Sequence, residues 1–370
     1  MKKNLSRHML MAIVALSAAV ALPSLATAKV SGACGDCHTM HNSQDGSAMA
    51  SDGAFGTTEA GTAERGVLLR YGCVGCHTGT NSGGDVPFVL STAPTYGTDT
   101  LAGGNFKWAN DDDSYGHNVS GANTADAALG NTPPGGTELA SQLTCAGTIG
   151  CHGDRTEADQ FGAVAGGHHG SGGDTTTLTG YTITSGHSTD MSDAFRMLAG
   201  IKGIEENGWE YAPTATKHNQ YFGVDRTADT DTADGSISAL CAQCHGEFHN
   251  GSGNVSTTFG SPWVRHPTDF DMAKAGGEYA FFNGGTDGET ADYSPETPLA
   301  SDQQAAVLAT VNVGTTSADD SAIVTCLSCH RAHGSPYADL LRWNYADMDA
   351  HAGTSVGTGC FRCHTTKDDA

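Results

Sequence analysis

The sequence predicts a chain of mostly irregular coil with short helices and very little β structure, built around something other than its own side chains. Three observations predict this. Glycine makes up 50 of 370 residues, nearly double the usual share, and aromatic residues only 7%. Long amphipathic patterns are scarce, and the best helix candidates, Asp193 to Ile201, Asp302 to Val311 and Tyr337 to Trp343, are all short. All twelve cysteines fall into six pairs, each followed directly by histidine.

Residues 1–28 read as a signal peptide. Lys2, Lys3 and Arg7 form a basic start, Met9 to Leu22 an apolar run, and Ala26-Thr27-Ala28 a small-residue cleavage site. The apolar run is shorter than the roughly 20 residues a spanning helix needs. Lys29 follows the cut, so no cysteine stands there to carry a lipid. The remaining 342 residues (370 less 28) are expected to be exported, without membrane insertion. Three basic residues and no acidic one leave with the signal, taking the formal charge from −23 to −26. Such a chain repels nucleic acid and anionic lipid. Asp111-Asp112-Asp113 reads as a solvated loop rather than a calcium site.

Between the helix candidates lie Gly/Thr/Asp/Ser stretches such as Gly170 to Gly180 and Thr227 to Ser236. That composition borders on a chain unable to offset its own ordering entropy. The cysteines supply the missing core. Five pairs read Cys-x-x-Cys-His: Cys34/Cys37/His38, Cys73/Cys76/His77, Cys241/Cys244/His245, Cys326/Cys329/His330 and Cys360/Cys363/His364. This is the attachment signature of c-type haem, in which both thiols add across the vinyl groups and the adjacent imidazole ligates the iron. A disulfide framework needs no histidine after every second cysteine. Structural zinc uses paired knuckles with four ligands per metal, and a thioredoxin-like redox pair occurs once rather than six times.

The sixth pair, Cys145/Cys151/His152, has five residues between its cysteines. The intervening Ala-Gly-Thr-Ile-Gly is small and flexible enough to bulge while both sulfurs reach one haem; the alternative is a disulfide beside a chance histidine. Six covalent haem c groups in a compact chain of this length, whose radius of gyration is roughly 20 Å, must nearly touch. The porphyrins become the interior, wrapped by loops and short helices. The expectation is one hexahaem unit over residues 29–370, with soft lobes near 29–125, 126–235 and 236–370.

What fills the second axial position separates a wire from an enzyme. Ten histidines of the mature chain lie outside the attachment motifs, and six are needed, so two imidazoles per iron are expected throughout. His41, His117, His168, His218, His266 and His333 lead as distal ligands; His169, His249, His187 and His351 rank below them. In the His168-His169 pair one is expected to ligate and the other to hydrogen-bond. Met40, Met49, Met191, Met197, Met272 and Met348 show no matching pattern.

At these residues the sequence resembles the OmcS-like family of hexahaem outer-surface cytochromes, the filament-forming c-type cytochromes of metal-reducing bacteria. The matching stretches are Cys34-Gly-Asp-Cys-His-Thr-Met-His-Asn-Ser, Leu240-Cys-Ala-Gln-Cys-His with His249-Asn250, Arg265-His-Pro, Thr325-Cys-Leu-Ser-Cys-His-Arg-Ala-His and Cys360-Phe-Arg-Cys-His. They cover about a third of the chain, in family order. The Cys145–Cys151 spacing is longer than the family's, so ligands between residues 145 and 250 do not transfer by position. The resemblance implies bis-histidine ligation, little regular secondary structure and head-to-tail assembly.

The reading is an electron-transfer protein, not an enzyme, secreted through the periplasm to the cell surface or extracellular space. Its protomers would polymerise into a conducting filament. Donors would be periplasmic or outer-membrane cytochromes, and acceptors extracellular solids such as metal oxides. One rival is a monomeric periplasmic or surface shuttle; another is a multihaem oxyanion reductase with one five-coordinate haem. His38 and His41 share a helical face, so His41 cannot reach around to the far side of its own haem. By the family resemblance His41 would instead serve the haem of Cys326, Cys329 and His330 in the next subunit. The alternative is a neighbouring haem within its own chain.

Overall fold

The computed structural model describes residues 30, 32–51, 66–81, 86–98, 100–169, 191, 194–206, 208–226, 235–249, 266–272, 282, 290–302, 310–312, 322–349 and 357–365. The signal segment, most of the Asp302–Val311 helix candidate, His187 and His351 lie outside the described residues.

Regular structure is sparse and short. The α-helices are α1 (Cys34–Cys37), α2 (Cys73–Cys76), α3 (Lys107–Asp111), α4 (Gln160–Ala163), α5 (Ile237–Ala242) and α6 (Gly246–His249). Eight strands of two or three residues pair off: β1 (Thr144–Ala146) with β2 (Gly150–His152), β3 (Gly203–Ile204) with β4 (Gln220–Tyr221), β5 (Phe270–Asp271) with β8 (Ile323–Val324), and β6 (Thr290–Asp292) with β7 (Thr310–Asn312). The fold is therefore mostly coil with short helices and little strand, as the glycine content and broken amphipathic patterns predict.

The helix candidates fare less well. Phe195–Met197 and Ala338–Leu340 are only 3-10 turns, with left-handed residues inside them. Thr310–Asn312 is a strand. These segments have helical residue types but too few turns to meet the nucleation cost of a helix, and neighbouring backbone takes their hydrogen bonds instead.

Where caps exist, they are local. Asp159 accepts from the backbone N–H of Phe161 and Gly162 to start α4, and Ser236 accepts from that of Ala239 to start α5. Two apolar clusters give the C-terminal part a side-chain core. One gathers Met272, Phe282, Tyr293, Leu299 and Val311; the other gathers Phe195, Tyr221, Ile237, Leu240, Ile323 and Leu327. Leu240 and Leu327 adjoin or lie within attachment motifs, so this core is continuous with the cysteines. Distant segments also approach backbone to backbone. A Cβ on Gly104, which sits at φ +86°, would fall 1.8 Å from the carbonyl oxygen of Gly334, so only glycine fits there. No helix among the described residues is long and apolar enough to cross a membrane.

Candidate haem centres

Each regular attachment motif is a single helical turn. The histidine N–H donates to the carbonyl of the first cysteine: His38 to Cys34 at 2.8 Å, His77 to Cys73 at 2.9 Å, His245 to Cys241 at 2.9 Å, His330 to Cys326 at 3.0 Å and His364 to Cys360 at 3.0 Å. An i to i+3 spacing on such a turn places both sulfurs on one face. The irregular site reaches a comparable end differently. β1 and β2 are parallel, with Thr144 opposite Gly150 and Ala146 opposite His152, so the loop doubles back instead of coiling. A Cβ on Gly150 would fall 2.5 Å from Ala146 backbone, so this fold-back requires glycine. The twelve cysteine sulfurs form no disulfide with one another. In the haem-loaded protein these atoms stand for thioether sulfurs.

The ring nitrogens are oriented by backbone carbonyls. Nδ1 lies 3.0 Å from Val67 O in His38, 2.9 Å from Pro87 O in His77, 3.0 Å from Arg196 O in His152, 2.7 Å from Pro134 O in His245 and 2.6 Å from Asp339 O in His330. His117 and His266 do the same with Ala332 O at 2.6 Å and Pro267 O at 2.8 Å. A carbonyl accepts only from a protonated Nδ1, which leaves the Nε2 lone pair free for a metal.

Burial lowers the pKa of His77, His117, His152 and His266, and pushes His333 down to about 3. Neutral imidazole is the form that binds iron. Burial likewise pushes the Cys329 thiol up to about 12. The residues present thus fit a haem: paired sulfurs for attachment, and an imidazole beside each pair.

Among the described residues, the structure brings five of the eight spare histidines opposite attachment histidines. Ring centroids are 6.0 Å apart for His38 and His169, 6.2 Å for His77 and His168, 6.2 Å for His152 and His333, 6.0 Å for His245 and His117, and 6.1 Å for His364 and His266. Two metal–nitrogen bonds of about 2 Å, plus roughly 1 Å from each nitrogen to its ring centre, sum to about 6 Å.

Both members of the His168-His169 pair therefore face attachment histidines, where one ligand and one hydrogen-bonding residue were expected. His218 is buried and stacks on Tyr293, with centroids 3.6 Å apart and planes 5° from parallel. His249 ends α6. His41 and His330 are both exposed, and among the described residues neither faces another histidine ring. The carbonyl acceptors were invisible in the sequence, because any residue can present one.

The motifs also follow one another in space. His168 and His169 tie the first to the second. The Cys73 and Cys145 sulfhydryls hydrogen-bond, as do those of Cys241 and Cys326. Cys151 lies within electrostatic reach of Cys244, and Cys329 of Cys360.

Attachment motifs in this number, five of them on helical turns and each with its adjacent imidazole, define a multihaem c-type cytochrome carrying covalent haem c. More particularly, the chain is OmcS-like. It is 29% identical over 368 residues to the C-type cytochrome OmcS of Geobacter sulfurreducens (strain ATCC 51573 / DSM 12127 / PCA), covering 85% of this chain and 79% of that protein. Residues 320–369 match the doubled CXXCH motif family. Among solved structures, the outer membrane cytochrome S filament from Geobacter sulfurreducens is 23% identical with a TM-score of 0.46, covering 91% of this chain and 92% of the other. The OmcS nanowires of the same organism, solved by cryo-electron microscopy, are 21% identical with a TM-score of 0.43, covering 92% and 91%.

Proposed function

We propose that this chain is an extracellular electron-transfer protein holding six haems in sequence order, each between two imidazoles, and that it assembles head to tail into a filament. The observation that carries the reading is the set of five imidazole pairs at metal-bridging separation, with successive attachment sulfurs side by side. When bound, the haems supply a reversible one-electron iron couple. The chain's part is to hold that couple in place. His38, His77, His152, His245, His330 and His364 bind from one side. His169, His168, His333, His117 and His266 bind from the other in the first four sites and the last, while Nδ1–H···O=C bonds fix the rings.

His330 is the exception, and two readings compete for it. Exposed His41 of the next protomer completes it in a filament; left open, the same position would bind a small oxyanion and make the protein a reductase. Export to the cell surface and the acceptance of electrons by metal oxides belong to the filament reading, as does a single haem-threaded unit from residue 29 to 370.

Intact mass of the secreted protein should exceed the polypeptide by six haem masses, and negative-stain microscopy should show filaments. Paramagnetic resonance should find every iron low-spin in filaments and one iron per chain high-spin after their dissociation. A high-spin iron that persists in intact filaments, or tight nitrite binding there, would overturn the filament reading in favour of the reductase.

A further inference from the structure

Three attachment histidines share a feature that the His77 and His245 sites lack. The carbonyls accepting from His38, His152 and His330 belong to Val67 (φ +54°), Arg196 (φ +48°) and Asp339 (φ +58°), all in the left-handed region. Each is followed by a second left-handed residue: Leu68 (φ +59°), Met197 (φ +55°) and Leu340 (φ +58°). The carbonyl of that second residue accepts the backbone N–H next after the attachment histidine, from Thr39 at 2.9 Å, Gly153 at 2.7 Å and Arg331 at 2.8 Å. One more residue along, Leu69, Leu198 and Leu341 form isolated bridges to His38, Gly153 and His330. The same two-point grip thus recurs at the first, third and fifth motifs. At the second and fourth, Pro87 and Pro134 present the carbonyl instead.

None of the six left-handed residues is glycine, and one is β-branched valine, for which this conformation is a genuine outlier. Val67 and Leu68 are 47% and 41% exposed, so side-chain burial does not offset the strain there. Strained backbone persists where the surroundings over-determine it, and it gathers at functional sites. A fourth such pair, Trp209–Glu210, is held by Glu206, whose main-chain carbonyl accepts from Trp209 N and whose carboxylate accepts from Glu210 N.

We propose that the turns Val67–Leu68, Arg196–Met197 and Asp339–Leu340 are positioning devices that lock the imidazole planes of His38, His152 and His330. The two-residue left-handed turn aims two consecutive carbonyls at one strand. The first takes the ring Nδ1–H and the second takes the following backbone N–H. Rotation of the ring is then coupled to the backbone, and the plane it presents to the iron is set by the turn. This rests on the haem reading above, which the haem count tests by itself.

The test uses the haem-loaded protein and the Val67→Pro and Val67→Gly variants. Proline forces φ negative, and no hydrogen bond from the Val67 N–H is lost; glycine holds φ +54° without strain. Both variants should keep the full haem mass. Val67→Pro should shift the largest g value and the midpoint potential of one haem per chain, because the low-spin g anisotropy follows the angle between axial ring planes. Val67→Gly should match the wild type in both. Unchanged spectra and potentials in Val67→Pro would overturn the proposal. If that variant loses a haem, the Nδ1–H protons of His38, His152 and His330 in the reduced, diamagnetic wild type carry the test by proton NMR. Slow exchange with solvent is expected at all three, and fast exchange at all three would overturn it.

Discussion

His169 and His218 show how little a residue's type says about its partner. Both are spare histidines in polar stretches, and His218 looks the better ligand from sequence. Yet the His169 ring lies nearly parallel to His38, 18° off, at a separation that suits a metal. His218 is 3.6 Å from Tyr293, a separation that leaves no room for anything between the rings. Its Nδ1 lies 2.7 Å from Asn219 O, as in the ligand candidates, so the close stack on Tyr293 is what sets it apart. Stacking of this kind contributes about 1 kcal/mol of packing. His169→Ala should therefore turn one haem per chain high-spin while the haem mass stays constant. His218→Phe should leave every haem low-spin and change only the melting temperature. A high-spin haem in His218→Phe would reverse the two assignments.

The β1–β2 fold-back is the element that decides whether the irregular motif works. A helical turn cannot bridge five intervening residues, so the chain uses parallel pairing and a sharp turn in which Gly150 N donates to Gly147 O at 2.9 Å. The alternative for this pair is a Cys145–Cys151 disulfide beside a chance histidine, and haem mass separates the two. Replacing both cysteines with alanine should lower the intact mass by one haem. Gly150→Val should do the same without touching a sulfur, because its side chain would occupy the space of Ala146. A variant lacking Cys145 and Cys151 that keeps the native haem mass would show that this element binds none.

At the scale of the whole molecule, the five imidazole pairs join segments far apart in sequence, His152 with His333 and His117 with His245 among them. Tyr96 likewise donates to Arg342 O at 2.6 Å. Removing a ligand from such a network is felt locally, because each haem stays covalently attached. The ends are different. Met40 is 75% exposed beside His41, and His330 is exposed at the fifth motif. A contact between unlike patches repeats without closing and yields an open filament. His41→Ala should keep all haems, abolish filaments and leave one high-spin iron per chain, read by mass, microscopy and paramagnetic resonance. Filaments of the variant with every iron low-spin would remove His41 as the subunit link.

The sequence by itself determined the chemistry of attachment. Thioether formation and the first axial bond involve residues within one turn, so the covalent requirement is written as a contiguous string. It also determined that helices would be short, because glycine and broken periodicity act locally. The tertiary structure alone decided which rings face one another, placing His169 opposite His38 and His218 against Tyr293. It alone revealed that left-handed turns and prolines supply the carbonyls behind the rings. The reason is physical: an imidazole opposite an iron need only arrive at the right distance and angle, from any position along the chain. A backbone carbonyl that orients it leaves no mark on the identity of the residue that bears it.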